Sequence, residues 1–160
     1  MIVRMSLFRT VVLIGFFTIL LAGCSSTQAP RISIVDASVS EATDEAVVVS
    51  FLLKLENPNN QPLPLRDFEY SLSVDGKQVF QGRRSVEATL QQEADYTLLL
   101  PAVVPFRRLG GTTSGIHSCV VSGQLSYVAP GQLAEVLTDL RWPAPTTNFS
   151  GAAQVEFSSP

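Results

Sequence analysis

Cys24 is the residue whose neighbours point most clearly to chemistry. It follows Leu21, Ala22 and Gly23. Small residues before a cysteine allow the backbone to enter a peptidase cleft, and the thiol that follows is a nucleophile able to accept a lipid. The tetrapeptide therefore predicts cleavage before Cys24 and lipid attachment to its sulfur.

The residues before this tetrapeptide have the order of a secretion signal. Arg4 and Arg9 supply positive charge, and residues 11–22 form an uncharged, mostly apolar stretch. That length is typical of a signal sequence and is short for a membrane span. Residues 21–24 resemble the lipobox of bacterial lipoproteins at each position. The alternative is an ordinary cleaved signal or a short anchor in which Cys24 is incidental.

The lipobox resemblance implies several fatty chains on Cys24, palmitate among them. Two or more chains give stable anchoring because each buried methylene contributes about 0.8 kcal/mol. Ser25 and Ser26 follow, with no aspartate directly after Cys24, which resembles the pattern sorted to the outer membrane. We therefore expect the membrane to be a partner, and the outer membrane to be the location in a cell with two membranes.

The remaining candidates for chemistry are one histidine and one thiol. His117 has no second histidine to complete a zinc site or a catalytic triad. We predict that it is a polar surface group at a loop–strand junction. Cys119 lies on the apolar face of a predicted strand, so we predict a buried, inert thiol. An exposed thiol that reacts or pairs between chains is the alternative.

Short charged pairs could bind calcium, act as acid and base, or meet phosphate headgroups. The acidic pairs lack the ligand spacing of a calcium loop, and the basic pairs stand in an acidic protein, so we interpret them as solvated loop and turn charges. The segment Gly110-Gly111 lacks the lysine of a phosphate-binding loop. The pairs are Asp44-Glu45, Glu93 with Asp95, Arg83-Arg84 and Arg107-Arg108.

Composition limits the partners of the chain. At 160 residues it has room for one domain. Beyond the leader it carries 9 basic residues (11 less Arg4 and Arg9) against 14 acidic ones. This balance argues against nucleic acid as a partner and against docking on anionic lipid by charge alone. We expect no metal, no catalytic residues and no small-molecule cofactor.

The elements that position these residues are mostly strands. Residues 47–55 alternate with an apolar face, as do residues 68–74, and Asp75-Gly76 predicts a two-residue hairpin turn that sets Leu72 opposite Val79. The other predicted strands cover residues 32–39, 77–82, 95–103, 118–128 and 149–157.

One segment has helical spacing instead. Leu133, Val136, Leu137 and Leu140 predict a short helix over residues 132–140. The pattern as a whole predicts an all-β sandwich of about seven strands with this one short helix. We divide the chain into a signal peptide with an N-terminal signal helix over residues 1–23, a tether over 24–30 and a β-sandwich domain over 31–158.

An Asn-Pro-Asn sequence at residues 57–59 is followed by Tyr70, by Gly76 in the predicted hairpin turn, and by Gly82 and Gly123 in later strands. This order of motifs resembles the late embryogenesis abundant type 2 domain, also called the WHy domain. The resemblance covers roughly residues 32–157 and departs from the family at residues 105–117, where the connection is short and rich in Gly, Thr and Ser. The motif residues, which the resemblance marks as structural, are Asn57, Pro58, Asn59, Tyr70, Gly76, Gly82 and Gly123.

The resemblance implies an immunoglobulin-like or fibronectin type III-like sandwich and a context of water stress. We therefore expect a lipid-anchored, non-catalytic envelope protein that protects against desiccation, with residues 57–65 and 105–117 as candidate contact loops. The alternative is a structural or accessory subunit of an envelope protein assembly. A hydrolase is the least favoured hypothesis because the residue inventory offers no catalytic set.

Overall fold

The described residues fold as two antiparallel sheets with eight strands in all. The computed structural model describes residues 27–110, 114–130 and 143–158. The alternation of apolar and polar residues favours strands here, because successive side chains on a strand point to opposite faces and one face can then be buried. The strands are β1 (Arg31–Ala42), β2 (Ala46–Glu56), β3 (Leu63–Val74), β4 (Lys77–Ser85), β5 (Thr89–Leu90), β6 (Asp95–Pro105), β7 (Gly115–Tyr127) and β8 (Thr146–Phe157).

The two sheets pack face to face as a sandwich. The smaller sheet has the order β1-β2-β6, and the larger has the order β4-β3-β7-β8 with β5 paired to β3. Their inner faces form one apolar core, in which Phe51, Phe68 and Phe157 are fully buried. The prediction of an all-β sandwich is therefore confirmed.

Two details of the predicted architecture differ. The part of the chain that the structure describes has eight strands rather than about seven, because the two-residue β5 adds a short pairing to the start of β3. The described part of the connection after β6 contains a single 3-10 turn, Phe106–Arg108. The predicted helix at residues 132–140 and the signal helix at residues 1–23 lie outside the described residues.

The β3–β4 hairpin forms at the predicted turn but with a different register. Asp75 and Gly76 both have positive φ, at 50° and 80°, as a two-residue turn of this kind requires. Leu72 pairs with Phe80 rather than with Val79. The predicted pairing is wrong because a β-bulge places Val79 and Phe80 together opposite Leu72, which brings both apolar side chains to the core.

Tyr70 is flanked on both sides by glycine. It pairs with Gly82 of β4 and with Gly123 of β7. The Phe80 ring lies over Gly82, where a Cβ would be 2.6 Å from the ring, and packs against Tyr70 with ring centroids 5.3 Å apart. A Cβ on Gly123 would collide with the Glu69 carbonyl oxygen and lie 2.8 Å from the Tyr70 Cα. The two glycines thus make room for an aromatic pair.

The hydroxyl of Tyr70 crosses the core and donates to the carbonyl of Pro101 on β6. The Arg84 guanidinium donates to the carbonyl of Leu99 on the same strand. Pro101 and Pro105 have no N–H to offer a further strand. These contacts and prolines reduce the capacity of the β6 edge to pair with another chain.

We expect Gly123→Ala to lower the free energy of unfolding by about 2–3 kcal/mol, because the added methyl group meets backbone that must shift. Urea unfolding followed by circular dichroism measures the loss. Ser122→Ala, one residue away on the outer face, is the control and should change stability little. An unchanged urea midpoint for Gly123→Ala would show that β3 and β7 can separate at no cost.

Candidate functional site

A network of asparagine amides joins the start of the described chain to the sandwich. Asn57 is buried directly after β2. Its Nδ2 donates to the carbonyls of Gln61, Leu90 and Gln91 at 2.9, 3.3 and 3.0 Å. Its Oδ1 accepts from the backbone N–H and the Nδ2 of Asn59, at 3.0 and 2.9 Å. One side chain therefore fixes both connections at this end of the sandwich.

Asn59 extends this network to the segment before β1. Its Nδ2 donates to the Gln28 carbonyl at 2.9 Å, and its Oδ1 accepts from the Gln28 N–H at 2.8 Å. Pro58, between the two asparagines, is half-buried. The structure thus brings together the three residues of the predicted Asn-Pro-Asn motif, whereas Tyr70, Gly82 and Gly123 meet in the middle of the larger sheet and Gly76 lies in the hairpin turn.

The predicted lipidation residues Leu21, Ala22, Gly23 and Cys24 lie outside the described residues. Gln28 is only four positions after Cys24. The hydrogen bonds of Asn59 therefore act on the segment that the sequence predicts to be the tether.

His117 is not the surface group that we predicted. It lies within β7, is 5% exposed, and packs on the Phe157 ring with centroids 4.6 Å apart. Its Nδ1 is 2.7 Å from a carboxylate oxygen of Asp75, while its buried Nε2 has no hydrogen-bond partner among the described residues. The alternation His117, Cys119, Val121 was the signal for burial, because all three share the inner face.

Asp75 ties the hairpin turn to the neighbouring strand. It accepts from the His117 ring, and its other oxygen accepts from the Ser118 N–H at 2.9 Å. These two hydrogen bonds, the His117 bond first, hold the pKa of the Asp75 carboxyl below its usual range. The histidine and the aspartate form a structural pair, and the thiol of Cys119, two positions along β7 from His117, is buried.

Cys119 is buried, as predicted. Burial, with a smaller contribution from the Asp75 charge, raises the pKa of the thiol to about 11. A thiol with this pKa is almost entirely protonated near neutral pH and is a poor nucleophile.

Some of the charged side chains singled out in the sequence are solvated, and others bind a neighbouring side chain or backbone carbonyl. Asp44 and Glu45 are exposed in the β1–β2 turn, as predicted. Asp95 and Glu56 both bind Lys54, at 2.9 and 2.8 Å, and these hydrogen bonds, that of Glu56 first, raise the pKa of the lysine.

The prediction that the arginine pairs solvate turns is wrong for three of the four. Arg83 lies in β4 and binds Asp67 at 2.7 Å, which lowers the pKa of that carboxyl. Arg84 donates to Leu99 of β6, and Arg108 donates to the Val79 carbonyl at 2.6 Å. Arginine reaches backbone carbonyls easily because its planar group offers five donors. Arg107 remains exposed.

The outer face of the larger sheet carries an open trough of about 700 Å³. Its walls are mainly hydroxyls and amides, with the charged side chains of Glu69 and Arg83. Gln124 donates to Glu69 at 3.0 Å, and Arg83 binds Asp67. Such a surface can hydrogen-bond a polar ligand but brings no nucleophile and base together. Among residues 27–110, 114–130 and 143–158, no cluster of His, Cys, Asp and Glu is arranged to hold a metal.

We expect Asp75→Asn to destabilise the protein in a pH-dependent way. Because the pKa of Asp75 is lower in the folded chain than its ordinary value of about 3.9, the ionised carboxyl stabilises the fold above about pH 4, and this contribution is lost as the pH falls toward the folded pKa. Urea unfolding should therefore show a deficit for the variant at pH 7 that shrinks at pH 3. Asp44→Asn, in an exposed turn, is the control. A deficit that stays constant with pH would contradict the assignment.

Three solved structures are similar to this chain in fold. The solution structure of a protein from Arabidopsis thaliana has a TM-score of 0.63 at 15% identity, over 85% of this chain and 87% of that chain. The solution structure of a late embryogenesis abundant protein has a TM-score of 0.63 at 17% identity, over 91% and 79%. A crystal structure from Archaeoglobus fulgidus has a TM-score of 0.50 at 13% identity, over 83% and 98%.

The family assignment comes from the sequence. No curated protein matches the chain. The family model described as late embryogenesis abundant protein, LEA_2, matches residues 52–147, which run from the middle of β2 into the start of β8. Because this match takes in more than half of the chain, the protein belongs to the late embryogenesis abundant type 2 family.

Proposed function

We propose that this protein is a lipid-anchored, non-catalytic component of the cell envelope whose LEA type 2 domain protects neighbouring molecules under water stress. Proteins of this family and their LEA-like structural neighbours are generally non-enzymatic. The proposal includes an immunoglobulin-like or fibronectin type III-like type of sandwich. It also includes an outer-membrane location in cells with two membranes, which Ser25 and Ser26 favour.

The observation that carries the anchor is the placement of Leu21-Ala22-Gly23-Cys24 directly after an uncharged apolar stretch. Among the residues that the structure describes, no helix is long and apolar enough to cross a membrane. In this proposal the acyl chains on Cys24 supply the attachment, because two or more chains suffice for stable binding.

We expect Cys24→Ser to move the protein from the membrane fraction to the soluble fraction or to leave it unprocessed with residues 1–23 attached, because the serine hydroxyl does not replace the thiol as the lipid acceptor. Cell fractionation followed by a high-salt wash of the membranes measures the distribution. Cys119→Ser is the matched control, since it removes the buried thiol and leaves Cys24 in place. A Cys24→Ser protein that is cut at the same place and has the same distribution as the unsubstituted protein would refute the anchor, and mass spectrometry distinguishes the cut form from the unprocessed one.

A specific observation also favours the second role, as an accessory subunit of an envelope assembly. The outer face of the smaller sheet exposes Leu99 and Val103 of β6, at 55% and 46%, beside half-buried Val48 and Leu52 of β2. Contiguous apolar side chains on a surface are typical of contacts with other proteins. In this role the protein would have no ligand of its own.

We expect the double variant Leu99→Ser, Val103→Ser to release any protein bound in a defined ratio in detergent extracts, because it makes this face polar. Native gels and crosslinking measure the complex. Ile116→Ser, at an exposed site on the larger sheet, is the control. A monomeric extract that preserves a test enzyme through drying supports the protective role instead, and a complex indifferent to the double variant excludes this face.

A further inference from the structure

We propose that Asn59 is a tether clamp: it holds Gln28 against the sandwich and so keeps the turn at residues 57–62 next to the lipid headgroups. This inference rests on the proposed lipid anchor at Cys24. The clamp consists of the two hydrogen bonds between the Asn59 amide and the backbone of Gln28, at 2.9 and 2.8 Å. A side-chain amide that binds both backbone groups of one residue restrains that residue in position and in direction.

The clamp is itself held by the core. Asn59 is bound by the buried Asn57 at 3.0 and 2.9 Å, and its carbonyl accepts from the Glu93 N–H at 3.1 Å. Asn57 in turn donates to three backbone carbonyls. A buried amide with these partners is costly to displace because the carbonyls it satisfies would lose their donor. The position of Gln28 is therefore coupled to the body of the domain.

The clamp shortens the free tether. Four residue steps separate Cys24 from Gln28, and six separate it from Pro30, which is buried. A fully extended chain covers at most about 3.5 Å per residue, so the clamp reduces the reach from about 21 Å to about 14 Å. The 11 residues of β2 span about 33 Å. While Gln28 is held, the turn at residues 57–62 stays near the membrane, and the β1–β2 turn lies at the other end of the strand.

Charge does not explain why the turn at residues 57–62 would lie near the membrane. The acids Glu56 and Asp95 at this end both bind Lys54. Exposed Arg31 and Glu93 carry opposite charges, and the turn itself consists of uncharged amides and prolines. An end of this kind is neither strongly attracted to nor repelled from anionic headgroups. We therefore expect the orientation to be set by the tether and to be the same in neutral and anionic membranes.

The test uses the full lipidated protein in phosphatidylcholine vesicles, with a fluorophore on Asn60→Cys at the clamped turn or on Glu45→Cys at the far turn. A nitroxide on the lipid headgroup is the short-range quencher. We expect strong quenching at position 60 and weak quenching at position 45. With Asn59→Ala, quenching at position 60 should be roughly twofold lower, because the free tether lengthens from about 14 Å to about 21 Å.

Two further variants separate the clamp from general damage. Gln28→Pro removes the N–H that Asn59 accepts without altering the sandwich, and it should reproduce the loss of quenching. Gln61→Ala, an exposed side chain of the same turn, is the matched control and should leave quenching unchanged. Circular dichroism checks that each variant is folded.

The outcomes distinguish the clamp from the anchor. If the vesicles retain the protein but Asn59→Ala and Gln28→Pro leave quenching at position 60 unchanged, the clamp is wrong and the anchor stands. If the unsubstituted protein does not float with the vesicles, the anchor fails and the clamp with it. If quenching at position 60 requires anionic lipid or disappears at high salt, charge sets the orientation and the clamp is wrong.

Discussion

The hydrogen bond from the Tyr70 hydroxyl to the Pro101 carbonyl is the constraint around which the rest of the sandwich is arranged. It joins the middle of the larger sheet to the edge strand of the smaller one. A phenol that crosses an apolar core needs a polar partner at its far end, and the edge carbonyl supplies it. The ring also needs space beside its own strand, which Gly82 and Gly123 provide. One aromatic side chain thus accounts for two glycines and for part of the protection of an edge.

A second polar device works at one end of the sandwich. Asn57 replaces the hydrogen bonds that the backbone cannot make where β2 stops, and it positions Asn59. Buried polar groups that are fully satisfied make a local structure unique as well as stable. The same network reaches Gln28. The turn at residues 57–62 and the segment before β1 are therefore held by one set of hydrogen bonds.

The groups best suited to chemistry are used for structure in the described residues. His117 is buried on Phe157 and bound to Asp75, and Cys119 is buried with a raised pKa. The larger exposed features are an open trough of hydroxyls and amides and an apolar face around Leu99. The trough offers hydrogen-bond donors and acceptors and the face offers apolar side chains, and proteins of this family are generally non-enzymatic.

The sequence by itself determined the all-β class, most strand positions, the hairpin turn at Asp75-Gly76 and the burial of Cys119. These follow from local rules, since alternation fixes which face a side chain occupies and turn residues fix where a strand ends.

The motif residues were also visible in sequence, but their partners were not. Asn59 meets Gln28 across 31 positions, and Tyr70 meets Pro101 across 31. Only the tertiary structure decided the pairing of Leu72 with Phe80, the contact of His117 with Asp75 and the carbonyls bound by Arg84 and Arg108. Each of these depends on which strands become neighbours and where a bulge shifts their register, and no local pattern encodes that choice.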